Sequence, residues 1–91
     1  MSNCISQIFI SDLDLPLPDY LENCVTQIKL GYPTLEHNVY NNNSLRDFIK
    51  KNFDESVLKA YDKLIPYAYK ADLGRYCLLY EKGGWYFDIS T

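Results

Sequence analysis

Basic residues are scarce in this 91-residue chain: nine Lys and Arg stand against twelve Asp and Glu, for a net charge of -3. A nucleic-acid footprint needs Lys and Arg clustered on one face, so nucleic acid is excluded as a partner class. The deficit does not exclude an anionic nucleotide, whose phosphates a metal ion, one arginine or a helix N-terminus neutralises locally. Cysteine is limited to Cys4, Cys24 and Cys77, an odd set without the C-x-x-C spacing of a zinc or redox site, which predicts reduced, buried thiols. No stretch approaches the roughly 18 apolar residues of a membrane span, and no basic-then-apolar leader opens the chain. A cytoplasmic location is expected. The one histidine, His37, has no second histidine near it and predicts a surface or strand-end side chain. No internal repeat is present, and the only biased segment is Asn41-Asn42-Asn43.

Apolar and aromatic residues are plentiful. A hydrophobic share of 47% and an aromatic share of 15%, with nine tyrosines, suit a packed domain and not a disordered segment. The tyrosines are expected mainly in core and interface rather than as a carbohydrate-stacking platform. Ile and Phe crowd CISQIFI (4–10), a buried strand, before the acidic, proline-punctuated loop DLDLPLPD. Tyr20, Leu21, Cys24, Val25 and Ile28 recur at helical spacing from Asp19 to Leu30, until Gly31 and Pro33 stop the pattern. A second strand is expected within TLEHNVYN (34–41). Ser44 or Asn43 is placed to cap a helix through SLRDFIKKNF, and Asp54 another through ESVLKAYDKLI, with Val57, Leu58, Tyr61, Leu64 and Ile65 as its stripe. Pro66 ends it. A last helix begins near Tyr67 with Leu73, Tyr76, Cys77 and Tyr80 on one face, and apolar Leu78 and Leu79 suggest that it is largely buried. Gly83-Gly84 fits a left-handed cap, and WYFDI reads as an interior strand. Strand, helix, strand, helices, strand implies an α/β fold with parallel pairing through right-handed crossovers.

Three residues bear charge where it invites explanation. Asp72 and Arg75 lie about 60° apart on the last helix, close enough for their side chains to meet. They form either an ion pair bordering the core or a ligand clamp, with Asp72 accepting from sugar hydroxyls and Arg75 neutralising phosphate. Asp88 follows Trp85-Tyr86-Phe87, where a buried carboxylate is costly unless paired. It either caps the turn after the strand or stands with Ser90 and Thr91 at the carboxyl edge, where open parallel sheets bind ligands.

The segment from Lys70 to Asp88 resembles the DxD-containing sugar transferases, whose pattern runs K-A-D-x-x-R-Y-x-x-L-Y-x-x-G-G-x-Y-x-D-x-D, with a variant in the clostridial glucosylating toxins. Lys70, Ala71, Asp72, Arg75, Tyr76, Leu79, Tyr80, Gly83, Gly84, Tyr86 and Asp88 match in register. The opening ISQIFIS is similar to the family's first strand, I-H-Q-I-W-I-G, with Ser6 for His and Phe9 for Trp. The resemblance implies the Rossmann-like nucleotide-binding half of a three-layer glycosyltransferase A fold, with a mainly parallel sheet that is incomplete at the C-terminus.

It further implies a UDP- or GDP-sugar donor, a carbohydrate or glycolipid acceptor, and a role in polysaccharide biosynthesis. Phe9 would stack on the base, Asp72, Arg75 and Tyr86 would contact the donor, and Asp88 would meet ribose or a divalent cation, Mn or Mg. The family's second aspartate falls on Ser90, a much weaker ligand, so Asp88 and Ser90 form a depleted metal pair. The pattern ends where an acceptor-binding half would begin. Residues 1–91 are therefore expected to be one donor domain, a truncated N-terminal part of a larger transferase with little turnover alone, or else a non-catalytic binding or assembly module of the same descent. Uncovered sheet edges make self-association plausible.

Overall fold

The computed structural model describes residues 3–90, so Thr91 lies outside the described residues. The sheet is built on β1 (Cys4–Ile8), buried at all five positions. Parallel strands flank it on both sides, giving the order β2-β1-β3, which is why both faces are covered and even the polar Ser6 and Gln7 are buried with Cys4, Ile5 and Ile8. β2 (Glu36–Tyr40) pairs from Cys4↔Glu36 to Ile8↔Tyr40, while β3 (Trp85–Tyr86) pairs only at Ile5↔Trp85 and Ser6↔Tyr86.

From β1 the chain passes through α1 (Asp19–Gly31) to β2, then through α2 (Asn42–Asn52), α3 (Glu55–Lys63) and α4 (Tyr67–Glu81) to β3. The two crossovers run in opposite directions from the central strand, so right-handed connections put their helices on opposite faces. Ile8 accordingly joins Leu45 and Ile49 of α2, Tyr61 of α3, and Cys77 and Leu78 of α4 in one buried cluster. Each large aliphatic side chain there contributes roughly 1.5–3 kcal/mol by leaving water. On the other face Lys29 of α1 lies near enough to His37 to act on its charge.

Local chemistry explains the helix starts. Asn41 caps α2 in a reciprocal box: its side chain accepts from the Ser44 N–H at 2.8 Å, and the Ser44 hydroxyl accepts from the Asn41 N–H at 2.9 Å. Ser44 is thus the third helical residue of the box and not the cap, as is Asn43 the second, because the helix starts two residues earlier than the apolar pattern. Asp54 caps α3 through the Val57 N–H at 3.2 Å. α3 stops at Lys63, which leaves Ile65 outside it and 81% exposed. Arg46 and Asp62 tie α2 to α3 by two 2.9 Å bonds.

The last helix departs most from expectation. Only Gly74, Cys77 and Leu78 of α4 are buried, whereas Tyr76 and Tyr80 are 65% and 72% exposed and stack on one another. The core face is narrow because Gly74 admits Leu45 closely: a Cβ at residue 74 would stand 2.4 Å from Leu45 Cδ2. Two helices meeting over a glycine bury little beyond the contact line. Tyr20, Tyr32, Tyr67 and Tyr69 are exposed as well, so tyrosine in this chain is mostly surface material, and Tyr61 is its fully buried representative.

Gly83 and Gly84 do form the left-handed turn, at φ 69° and 77°. Cys4 and Cys77 are free and buried, and Cys24 is free and half-buried; burial pushes the Cys77 thiol up. Among the described residues no helix is long and apolar enough to cross a membrane.

Candidate functional site

The carboxyl edge of the β1–β3 pair is where open parallel sheets receive their ligands. Tyr86 is at this edge. As the register partner of Ser6 it points to the α4 side, where the Arg75 guanidinium lies 5.7 Å from its ring centroid. Arg75 in turn meets Asp72, Nη2 to Oδ1 at 3.8 Å. Burial pushes the Tyr86 phenol up, the Asp88 and Asp72 carboxylates push in the same direction, and Arg75 pulls it down. Arg75 therefore links the Tyr86 ring to Asp72, and Asp88 follows Tyr86 by two positions.

Asp72 and Arg75 are 67% and 49% exposed, and an exposed i,i+3 pair adds at most about 0.5 kcal/mol to a fold. The pair is not a support of the core, which leaves both groups free to meet a ligand. Asp88 is exposed too. The supposed interior strand is a two-residue edge strand, so the cost of a buried carboxylate does not arise at this position. Asp88 instead begins a turn through Ile89 and Ser90, with Ser90 also exposed.

Phe9 stands apart from this group. Its N–H donates to Tyr40 O at 2.8 Å, on the β2 side of β1, and its half-buried ring lines a cavity of about 220 Å³ with Asp14, Leu15, Val39 and Tyr40. The structure thus joins Asp72, Arg75, Tyr86 and Asp88, and sets Phe9 on the other shoulder of the central strand.

Between these shoulders and the helices is a second cavity, of about 260 Å³, lined by Ser11, Asp14, Asn42, Asn43, Tyr67 and Lys70. None of its lining residues is among the candidate site residues read from the sequence. Asp14, at φ 50°, turns its carboxylate onto the start of α2 and accepts from the Asn42 and Asn43 N–H groups at 2.9 and 3.0 Å. An acidic side chain therefore satisfies the helix terminus that elsewhere binds phosphate. The Tyr67 hydroxyl donates to Asp12. Lys70 donates to Tyr61 O at 2.7 Å and rests 4.4 Å from that ring's centroid, so its ammonium braces α4 on α3. A signal was available: an Asp-x-Asp turn before prolines, followed in the fold by a bare Asn-Asn helix start.

His37 is one residue in from the start of β2 and only partly open to the surface. It sits within β2, half-buried, with Nε2 at 2.5 Å from Gln7 Oε1. Burial first, and Lys29 second, lower its pKa from the ordinary 6.5.

The metal question turns on donor chemistry. Among the described residues no three His, Cys, Asp or Glu side chains converge to hold an ion. At the Asp88 turn the protein supplies one carboxylate and the Ser90 hydroxyl. Hard divalent cations take six or more oxygens, so this pair fits a cation only as part of a shell that diphosphate oxygens and water complete.

Residues 18–91 match the family described as a glycosyltransferase sugar-binding region containing a DXD motif. The chain is 39% identical over 90 residues to an uncharacterized glycosyltransferase, L373, of Acanthamoeba polyphaga mimivirus. That alignment takes in 96% of this chain and 34% of the relative, so the chain spans about a third of the length of the curated protein it matches. No solved structure matches it.

Proposed function

The chain belongs to the family of glycosyltransferase sugar-binding regions containing a DXD motif, and on that premise we propose that the carboxyl edge of its sheet receives a nucleotide-sugar, UDP- or GDP-linked. Asp72 accepts hydrogen bonds from the sugar hydroxyls, and Arg75 meets the diphosphate with a planar, permanently charged fork. Tyr86 walls the sugar site. Phe9 offers an aromatic face to the base, for which stacking needs no particular ring. Asp88 and Ser90 would hold a divalent cation, Mn or Mg, jointly with the diphosphate, and the ion would offset charge on the departing nucleotide.

The reaction served is displacement at the anomeric carbon: the bond to the diphosphate oxygen breaks, and an acceptor hydroxyl of a carbohydrate or glycolipid forms the new bond and gives up its proton. Residues 1–91 act as the donor half of that transferase and turn over little by themselves. The observation that carries the proposal is the Asp72–Arg75 pair set over Tyr86 at the carboxyl edge of the sheet, with Asp88 two positions further along the chain.

The test is a titration of isotope-labelled protein with UDP, GDP and their sugars, with and without Mn, following the Asp72, Arg75 and Asp88 amides. Saturable shifts for one nucleotide, deepened by the cation and lost in Arg75→Met, are expected. Absence of shifts at those amides at millimolar ligand refutes the assignment. Ser90 favours one other reading, a binding or assembly module that has lost its metal, for which nucleotide would bind without any response to Mn.

A further inference from the structure

Gln7 is fully buried in the central strand, at 0% exposure, where a polar side chain is costly unless every group is bonded. Its Nε2 donates to the backbone carbonyl of Asp88 at 3.2 Å, and its Oε1 faces His37 Nε2 at 2.5 Å. The chemistry of the three groups fixes the orientation. A peptide carbonyl only accepts, so the amide nitrogen has to face Asp88. Oε1 then faces His37, and the imidazole has to carry its proton on Nε2. The remaining imidazole nitrogen, Nδ1, is buried without a partner, as expected of an acceptor left over once Nε2 is committed.

This bridge continues the sheet by other means. Regular pairing of β3 with β1 ends at Ser6↔Tyr86, and one more backbone bond follows, Phe87 N–H to Ser6 O at 3.2 Å. Beyond it the chain is held at the Asp88 carbonyl by the Gln7 amide. Fixing the Asp88 carbonyl fixes the Asp88–Ile89 peptide plane, which sets the direction of the Asp88 carboxylate at one end and of the chain entering Ser90 at the other.

We infer that Gln7 is a positioning residue for the Asp88–Ser90 turn, with His37 on β2 locking its amide. The inference deepens the donor-site proposal and rests on it for its bearing on ligand, though not for its geometry. Ligand held by Asp88 and Ser90 then depends on two side chains that never touch it, as metal and substrate ligands commonly depend on the groups behind them.

The experiment has two arms. Without ligand, Gln7→Met should move the Ile89 and Ser90 amide resonances, because the Ile89 N–H belongs to the peptide whose carbonyl loses its donor. His37→Phe should move them too, and His37→Gln, which keeps a donor toward Oε1, should restore them. With UDP and Mn, Gln7→Met should weaken binding by about tenfold. Ile89 and Ser90 resonances unchanged in Gln7→Met, or in His37→Phe should Gln7→Met fail to fold, overturn the positioning role. Wild-type protein that binds no nucleotide overturns the donor-site proposal and leaves the first arm to decide the role of Gln7.

Discussion

Alanine at Gly83 and at Gly84 is the same substitution at nearly the same backbone angles, φ 69° and 77°, yet the two should differ severalfold in cost. Left-handed backbone costs a residue with a Cβ about 1–2 kcal/mol, and alanine recovers about 0.4–1 kcal/mol by narrowing the unfolded ensemble. For Gly83 nothing stands within 4 Å of a new Cβ, so the net loss is about 1 kcal/mol. At Gly84 the Cβ would lie 2.4 Å from Cys4 O and 2.7 Å from Cys4 Sγ. That carbonyl belongs to the buried central strand and cannot rotate aside. Overpacking of this kind adds about 1–3 kcal/mol, for a total near 2–4 kcal/mol.

In a domain of this size each kcal/mol lowers Tm by about 4–8 °C, so Gly83→Ala should lose roughly 5 °C and Gly84→Ala at least twice that. The clash has a second outlet, departure of β3 from β1, which would leave the melt high but expose the Phe87 N–H now bonded to Ser6 O. Thermal unfolding by circular dichroism and hydrogen exchange at Phe87 should therefore be measured together. If Gly84→Ala matches Gly83→Ala in both, the close approach of the glycine turn to β1 does not hold β3 in place, and the argument fails.

Gly74→Ala gains about 1 kcal/mol of helix propensity but drives a Cβ into buried Leu45; a net loss of about 1–2 kcal/mol in urea unfolding is expected, with partial rescue by Leu45→Val. Gly31→Ala, which meets nothing within 4 Å, should be neutral or stabilising in the same assay. Ser90→Asp restores a second carboxylate and should tighten Mn binding by calorimetry if the Asp88 turn is a donor pocket; an unchanged affinity counts against that geometry. His37 has its pKa lowered in the fold, so the unfolded chain takes up the proton first. Its contribution to stability is complete above about pH 6.5 and is lost as pH falls below it, and His37→Gln should flatten this part of the stability profile. A stability that rises on acidification through the same range would refute the assignment.

Helix starts were legible where one short polar side chain stood before an apolar repeat, as at Asp54, and where proline broke the pattern, as at Pro66, but not within the run Asn41-Asn42-Asn43-Ser44, where several side chains could cap and Asn41 does. The order of elements and the parallel sheet followed from that punctuation, and the glycine turn from Gly83-Gly84. α4 misled because tyrosine scores as apolar: Tyr76 and Tyr80 have helical spacing but sit opposite the face that Gly74 opens to Leu45. Composition along one helix does not report what a glycine admits from another. The Asp72–Arg75 pair was legible because its members are three positions apart on one helix. The bonds of Asp14 to Asn42 and Asn43, and of Gln7 to His37 and Asp88, join residues 28 to 81 positions apart, a distance over which periodicity carries no information.

The brace between Lys70 and Tyr61 bears on what the long motif records. Lys70 donates to Tyr61 O, Gly84 makes room for β1, and Asp72, Arg75 and Asp88 are the charged members left facing water. One string of letters therefore contains two vocabularies, carpentry and chemistry, with separate tolerances for change. A descendant that abandoned catalysis could lose the second set at little structural penalty, since those side chains hold up almost nothing, while the first set would persist for as long as the chain folded. Ser90 is a substitution in the dispensable vocabulary. Inheritance of the frame and retention of the trade are thus two separate questions, and in this chain the residues that answer them can be mutated one at a time.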